Sequence, residues 1–268
     1  MREWKFRAWN PEIKKMYSPE DLEEPDVAED TPKTIFGKIV DGKLVILDAK
    51  HVTPLELIPT QSTNLYDREQ YEIFEGDILI DKSGEQEVAV VWDTPTGSYL
   101  LREKDGTLIP GGAYLTDIIK ITGNVFENEN KYEFKPREFK YRAWNPDTKK
   151  MYLPEDLKDP EKDIDFSVYG YLSFGALYIY DFILDPPMEM IPMQATGWKD
   201  KFEKEVYEGD IVELDGELAQ ICWSDEIGGF MFMSNDGSLY QGDSQTALQI
   251  EVVGNIYENE GAVPQFKW

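Results

Sequence analysis

Two pairs of carboxylates flank a glycine at matching places in this chain: Glu75 and Asp77 around Gly76, and Glu208 and Asp210 around Gly209. Acids so spaced can share general acid and base work, or supply oxygen ligands to calcium or magnesium. Their loop lacks the EF-hand pattern, and acids beside a turn glycine ordinarily lie in solvent, so these four are expected as solvated turn acids. A second constellation sets Arg7 near Trp9 and Arg142 near Trp144, where a guanidinium and an aromatic face could hold a phosphate or a base. The alternation of Lys-Phe-Arg-Ala-Trp also fits a strand that braces a β-domain, and the bracing role is the preferred one. Gln61, Thr63, Gln194 and Thr196 are polar positions inside strand-like stretches, able to bond backbone at a turn or to touch a ligand. Cys222 and His51 are the one cysteine and the one histidine, so neither an intrachain disulfide nor a histidine-based zinc cluster can be built. Cys222 precedes Trp223 in a strand-like run and reads as a small buried hydrophobe, whereas His51 reads as loop. No nucleophilic triad recurs in both halves. The expectation is a protein that is not an enzyme and takes no cofactor.

These groups recur because the chain is duplicated. Arg2–Leu22, REWKFRAWNPEIKKMYSPEDL, returns at Arg137–Leu157 as REFKYRAWNPDTKKMYLPEDL. Leu57–Ile80 then matches Met190–Leu214, Glu87–Leu108 matches Glu217–Leu239, and Ile118–Asn130 matches Ile250–Gly261, the offset falling from 135 through 133 to 131. Four blocks in one order define two tandem repeats, 1–134 and 135–268, joined by the short stretch Asn128–Pro136. Each repeat is long enough to bury a core, so the expected architecture is two small homologous β-domains, barrel-like and packed as a pseudo-symmetric pair. The blocks are rich in β-branched and aromatic residues and punctuated by Asp-Gly, Asn and Gly, the pattern of strands joined by tight turns. Pro19 and Pro154 can each open a single helical turn. Tyr169, Tyr171, Phe174, Tyr178, Tyr180 and Phe182 are spaced as strands with one aromatic face, which suits a core or copy interface, or a ligand-facing surface.

The 268 residues carry 53 Asp and Glu against 27 Lys and Arg, a formal charge of −26, divided as about −11 and −15 between the repeats. Hydrophobic residues at 41% leave room for full cores, so the charge belongs to folded surface. Such a surface disfavours direct binding of nucleic acid. It can instead imitate the charge spacing of a nucleic-acid backbone and so occupy a basic, nucleic-acid-binding protein, or it can serve solubility alone. No apolar run suits a signal peptide or a membrane span, so a cytoplasmic protein without membrane contact is expected.

Taken together, Lys5–Tyr17 (KFRAWNPEIKKMY), Met190–Val212 (MIPMQATGWKDKFEKEVYEGDIV) and Glu251–Gly261 (EVVGNIYENEG) resemble the YopX protein family, carried largely by phages and prophages. The resemblance covers nearly all of both halves and implies a mainly β fold with no particular reaction attached. Family members usually carry one unit, so this chain is similar to a tandem fusion of two. Copy two keeps the family run from Met193 to Asp210. Copy one has Asn64 where copy two has Gly197, which puts any binding by that motif in copy one in doubt. The functional expectation is a host-modulating protein of phage type that binds a host or phage protein through its acidic surface. The alternative is a sponge or sensor for small anionic ligands or nucleotides, built on Arg7, Trp9, Arg142, Trp144, Gln194 and Thr196.

Overall fold

The computed structural model describes residues 3–22, 35–50, 53–112, 119–128, 131–159, 168–183 and 186–259; His51 and most of the acidic, proline-containing stretches after Leu22 and Asp159 lie outside them. The chain is 55% strand and 4% helix with curled half-barrel sheets, mainly β as the turn-punctuated blocks predict. Positive φ at Asp41-Gly42 and at Phe174-Gly175 makes the two-residue turns of two equivalent hairpins. The first pairs Ile35–Val40 with Lys43–Asp48, the second Val168–Ser173 with Ala176–Asp181. Pro19–Asp21 and Pro154–Asp156 form the single helical turns that their prolines foretell.

The repeats are units of sequence but not of packing. One compact unit is built from Met1–Ser62 with Lys135–Met193, the other from Thr63–Phe134 with Gln194–Trp268. Each repeat therefore gives its first half to one unit and its second half to the other. The chain crosses over within the strands Leu55–Tyr66 and Ile191–Lys199. The expectation that each repeat buries a core of its own gives way to composite cores, because the strand edges of one repeat are satisfied by backbone from the other.

In the first unit the two hairpins lie side by side, followed by Leu55–Tyr66, Phe6–Asn10 and Lys15–Tyr17. The hairpins meet antiparallel at Lys38 and Tyr171. Those positions stand 133 apart, the offset between repeats in this region, so the contact joins counterpart to counterpart on a local two-fold axis. Strands are exchanged around it. Leu177 donates its N–H to the Trp4 carbonyl at 2.8 Å, and Phe6 donates to Gly175 at 2.8 Å. Reciprocally, Leu44 donates to Phe139 at 2.9 Å and Tyr141 to Gly42 at 2.7 Å. The exchanged strands bring buried rings together edge to face, Trp4 on Tyr141 and Phe6 on Phe139, with centroids 5.7 and 5.1 Å apart. Burying each such ring contributes about 1.5–3 kcal/mol.

The second unit repeats the plan. Asp77–Asp81, Glu87–Asp93 and Ser98–Arg102 from repeat one continue into Gly229–Ser234, Glu217–Ser224 and Asp210–Leu214 from repeat two. The junction pairs Ser98 with Gly229, which stand 131 apart, again the local offset. A Cβ at Gly229 would lie 2.4 Å from the Ser98 Cβ, so the close approach requires glycine. Beside it Trp92 stacks on its own counterpart, Trp223, at 6.2 Å and 10°. Tyr99 and Phe230 meet these indoles edge-on.

Candidate functional site

The Arg-Ala-Trp-Asn words lie mostly inside the first unit. Trp9, Arg142 and Trp144 are buried, and the half-buried Arg7 donates from Nε to Thr60 Oγ1 at 3.1 Å. Asn10 Nδ2 and Tyr17 Oη both donate to Asp48 Oδ2, at 3.2 and 3.3 Å. Asn145 and Tyr152 do the same to Asp181, at 3.1 and 3.2 Å. Each Asn also accepts two backbone N–H groups of the following turn through Oδ1. The phenols of Tyr17 and Tyr152 are pushed up by burial and then by the facing carboxylates, so both stay protonated donors. These triads form a brace that holds the RAWNP strand, its return strand and a hairpin together. Asp48 and Asp181 escaped sequence reading because they end strands in the least similar part of the repeats. Their one signal was a shared offset of 133.

The Gln-x-Thr positions are also interior. Gln61 accepts from Arg137 Nη2 at 2.8 Å, and Gln194 is buried. In the second unit Thr63 donates to the Ile73 carbonyl at 2.8 Å and accepts the Leu65 N–H at 3.1 Å. Thr196 does likewise with Val206 and Trp198, both at 3.0 Å. Between these bonds the backbone turns through positive φ, 62° at Asn64 and 86° at Gly197. Asparagine tolerates that region, so the substitution in copy one keeps the same bend.

The glycine-flanking acids are not solvated. Glu75, Asp77 and Asp210 are buried and Glu208 is half-buried. Gly76 and Gly209, at φ 86° and 82°, fold the chain back so that Asp77 and Asp210 accept the N–H of Phe74 and Tyr207, each at 2.8 Å. A turn acid that takes an amide three residues back is a structural clasp, and that bond draws it inward. Asp67 and Asp200 act similarly and were passed over in the sequence, although both stand in the second repeated block. Each is buried and accepts three backbone N–H groups: from Glu69, Tyr71 and Ile121, and from Phe202, Lys204 and Val252. Burial pushes both carboxyls up, but the amides outweigh it and hold them below the usual carboxylate range. Cys222 is buried, and burial, with Glu208 nearby, pushes its thiol up to about 12.

A cleft of about 360 Å³ opens in the first unit, lined by Lys43, Val45, Glu56, Ile58, Arg137 and Glu138 among others. Lys43 is paired with Glu138 at 2.7 Å, and none of Arg142, Trp144, Gln194 or Thr196 lines the cleft. Among the described residues no group of three His, Cys, Asp or Glu is placed to hold a metal, and no helix is long and apolar enough to cross a membrane.

The duplicated brace, clasp and turn thus recur element for element, and the YopX protein family model matches the chain twice, over residues 5–133 and 140–261. The chain belongs to the YopX family. No curated protein matches it. Its two YopX repeats, in tandem, share the framework described above and, among the described residues, differ on one sheet face. Tyr169, Tyr171, Tyr178 and Tyr180 of the second repeat occupy the hairpin positions held by Phe36, Lys38, Val45 and Leu47 in the first repeat, both hairpins lying in the first compact unit. The rings form a ladder: Tyr169 on Phe182 at 4.3 Å and 6°, Tyr171 on Tyr180 at 5.9 Å and 10°, and Tyr171 on Tyr178 at 6.1 Å. The tyrosines are half-buried, while Phe182 and Ile183 at the end of the ladder are 37% and 75% exposed.

Proposed function

We propose that this YopX protein is not an enzyme but a binding protein of phage type that occupies a basic, nucleic-acid-binding protein in the host cytoplasm. Its docking surface is the tyrosine ladder of the second hairpin, and the occupant is a segment rich in Arg and Lys. The observation that carries this reading is an accessible aromatic ladder on a chain with a net charge of −26. Stacked phenols cover the aliphatic stems of basic side chains, present π-faces to their charges and accept hydrogen bonds at the ring oxygen. The chain already uses this chemistry internally: Lys15 lies 4.4 Å from the Tyr17 ring centre and Lys150 lies 4.2 Å from that of Tyr152. The chain's net negative charge steers such a partner and makes its association dependent on salt. The small-ligand alternative has less support, since five of its six residues are buried.

The test is titration of a labelled arginine-rich peptide by fluorescence anisotropy at low and high salt. Binding is expected at low salt and should weaken as salt rises. Replacing Tyr178→Ser together with Tyr180→Ser should weaken it roughly 5- to 30-fold, from about 0.5–1 kcal/mol per cation–π contact, measured at a temperature where circular dichroism shows the variant still folded. No binding at low salt would sink the proposal, and binding unaltered in the double variant would sink the assignment to this face.

A further inference from the structure

We infer that the two repeats are obligate partners for each other, and that the covalent connection between them is dispensable once they have met. Each repeat is, in effect, the ligand of the other. The strand containing Trp4 and Phe6 is received by Gly175 and Leu177 of the second hairpin, and the strand containing Phe139 and Tyr141 by Gly42 and Leu44 of the first. This is strand addition to a sheet edge carried out twice, in opposite directions, within one chain. In the second unit the two half-sheets close on each other through the paired bonds Tyr99 to Gly228 and Phe230 to Gly97, both 2.8 Å.

A repeat on its own would face several costs together. The start of its RAWNP strand, which pairs onward with strands of its own repeat, would lose the hairpin that receives it, and the buried rings of Trp4, Phe6, Phe139, Tyr141 and Trp223 would lose their facing partners from the other repeat. Lys38, buried in repeat one, is held by Asp159 of repeat two at 2.9 and 3.1 Å. Removing one member of a buried ion pair is strongly destabilising because it leaves a charge in the interior. The connection itself carries little of this load. Tyr132 is anchored to Glu87 at 2.8 Å within repeat one, whereas Lys135 and Pro136 just beyond it are exposed. A connection this short mainly raises the effective concentration of one repeat for the other.

The experiment places a protease site between Lys135 and Pro136 of the full chain and cuts the folded protein. The two fragments are expected to elute together at the size of the uncut chain. They should also keep the exciton-coupled circular dichroism that the Trp92–Trp223 stack produces. The denaturant midpoint, independent of protein concentration before cutting, should rise with concentration afterwards, because unfolding has become dissociation. In the cut protein, Phe139→Ala should shift the onset of dissociation to higher protein concentration. Fragments that separate as folded monomers, or a midpoint that stays independent of concentration after cutting, would overturn mutual dependence. Precipitation on cutting would overturn the dispensability of the connection.

Discussion

Asp67 and Asp200 show how a single carboxylate can fasten a loop to a distant strand. Each is held below its usual range by three amides that outweigh the cost of burial. A group whose folded pKa is depressed contributes stability above its unfolded value, near 3.9, and loses it as pH falls through the folded value. Stability should therefore drop as pH falls below the ordinary carboxylate range and through the lowered folded values of these two groups. Asp67→Asn and Asp200→Asn should each lower stability at neutral pH by about 1–3 kcal/mol and flatten that acid limb. Thermal unfolding across the range checks both effects, and an unflattened limb in both variants would refute the assignment. Cys222 makes the opposite point. With its thiol pushed up to about 12 and its Sγ donating to the Met231 carbonyl at 3.7 Å, it should resist thiol reagents in the native state and react once denaturant unfolds the chain. Its burial was legible from a lone cysteine in an apolar strand. The depth of the glycine-flanking acids was not, because the decisive bond joins a side chain to an amide three residues earlier and leaves no hydrophobic signature.

At the scale of elements, the strand that carries Thr63 and its counterpart with Thr196 must bend, and both do so through a left-handed residue. The two solutions are not equally tolerant. At Gly197 a Cβ would lie 2.9 Å from Thr94 Cγ2, whereas Asn64 already accommodates a side chain at φ 62°. Gly197→Ala should accordingly cost more than Asn64→Ala, which should cost about 1 kcal/mol or less. Denaturant unfolding of the two variants ranks them, and the reverse order would show that the bend is not what the glycine serves. The sequence marked copy one as the copy whose motif had drifted. The backbone shows that the drift is conformationally silent, and that the copies differ instead at the hairpin, where Tyr178 and Tyr180 replace Val45 and Leu47.

For the whole molecule, the pairings that join the two repeats, Lys38 with Tyr171 and Ser98 with Gly229, link residues far apart in sequence, the kind of contact expected to slow folding. Much of the fold was nevertheless legible beforehand. Strands, hairpin turns at Asp-Gly, single helical turns at Pro19 and Pro154, and the duplication itself all follow from local rules: side-chain alternation, the freedom of glycine at positive φ, and the fixed φ of proline. Of the candidate site, Thr63 and Thr196 stood out through repetition, but their partners Ile73 and Val206 did not, and Asn10 and Tyr17 lay inside the repeated words without being singled out. The sequence by itself determined that the chain holds two copies of a β-rich unit and where their strands and turns lie. Only the tertiary structure decided which strand completes which sheet. Backbone donors and acceptors are the same at every strand edge, and the two RAWNP strands are nearly identical, so nothing local distinguishes pairing within a repeat from pairing with its sister. The distinction is made where counterpart meets counterpart, at Lys38 with Tyr171 and at Ser98 with Gly229, where both repeats must be present for either core to close.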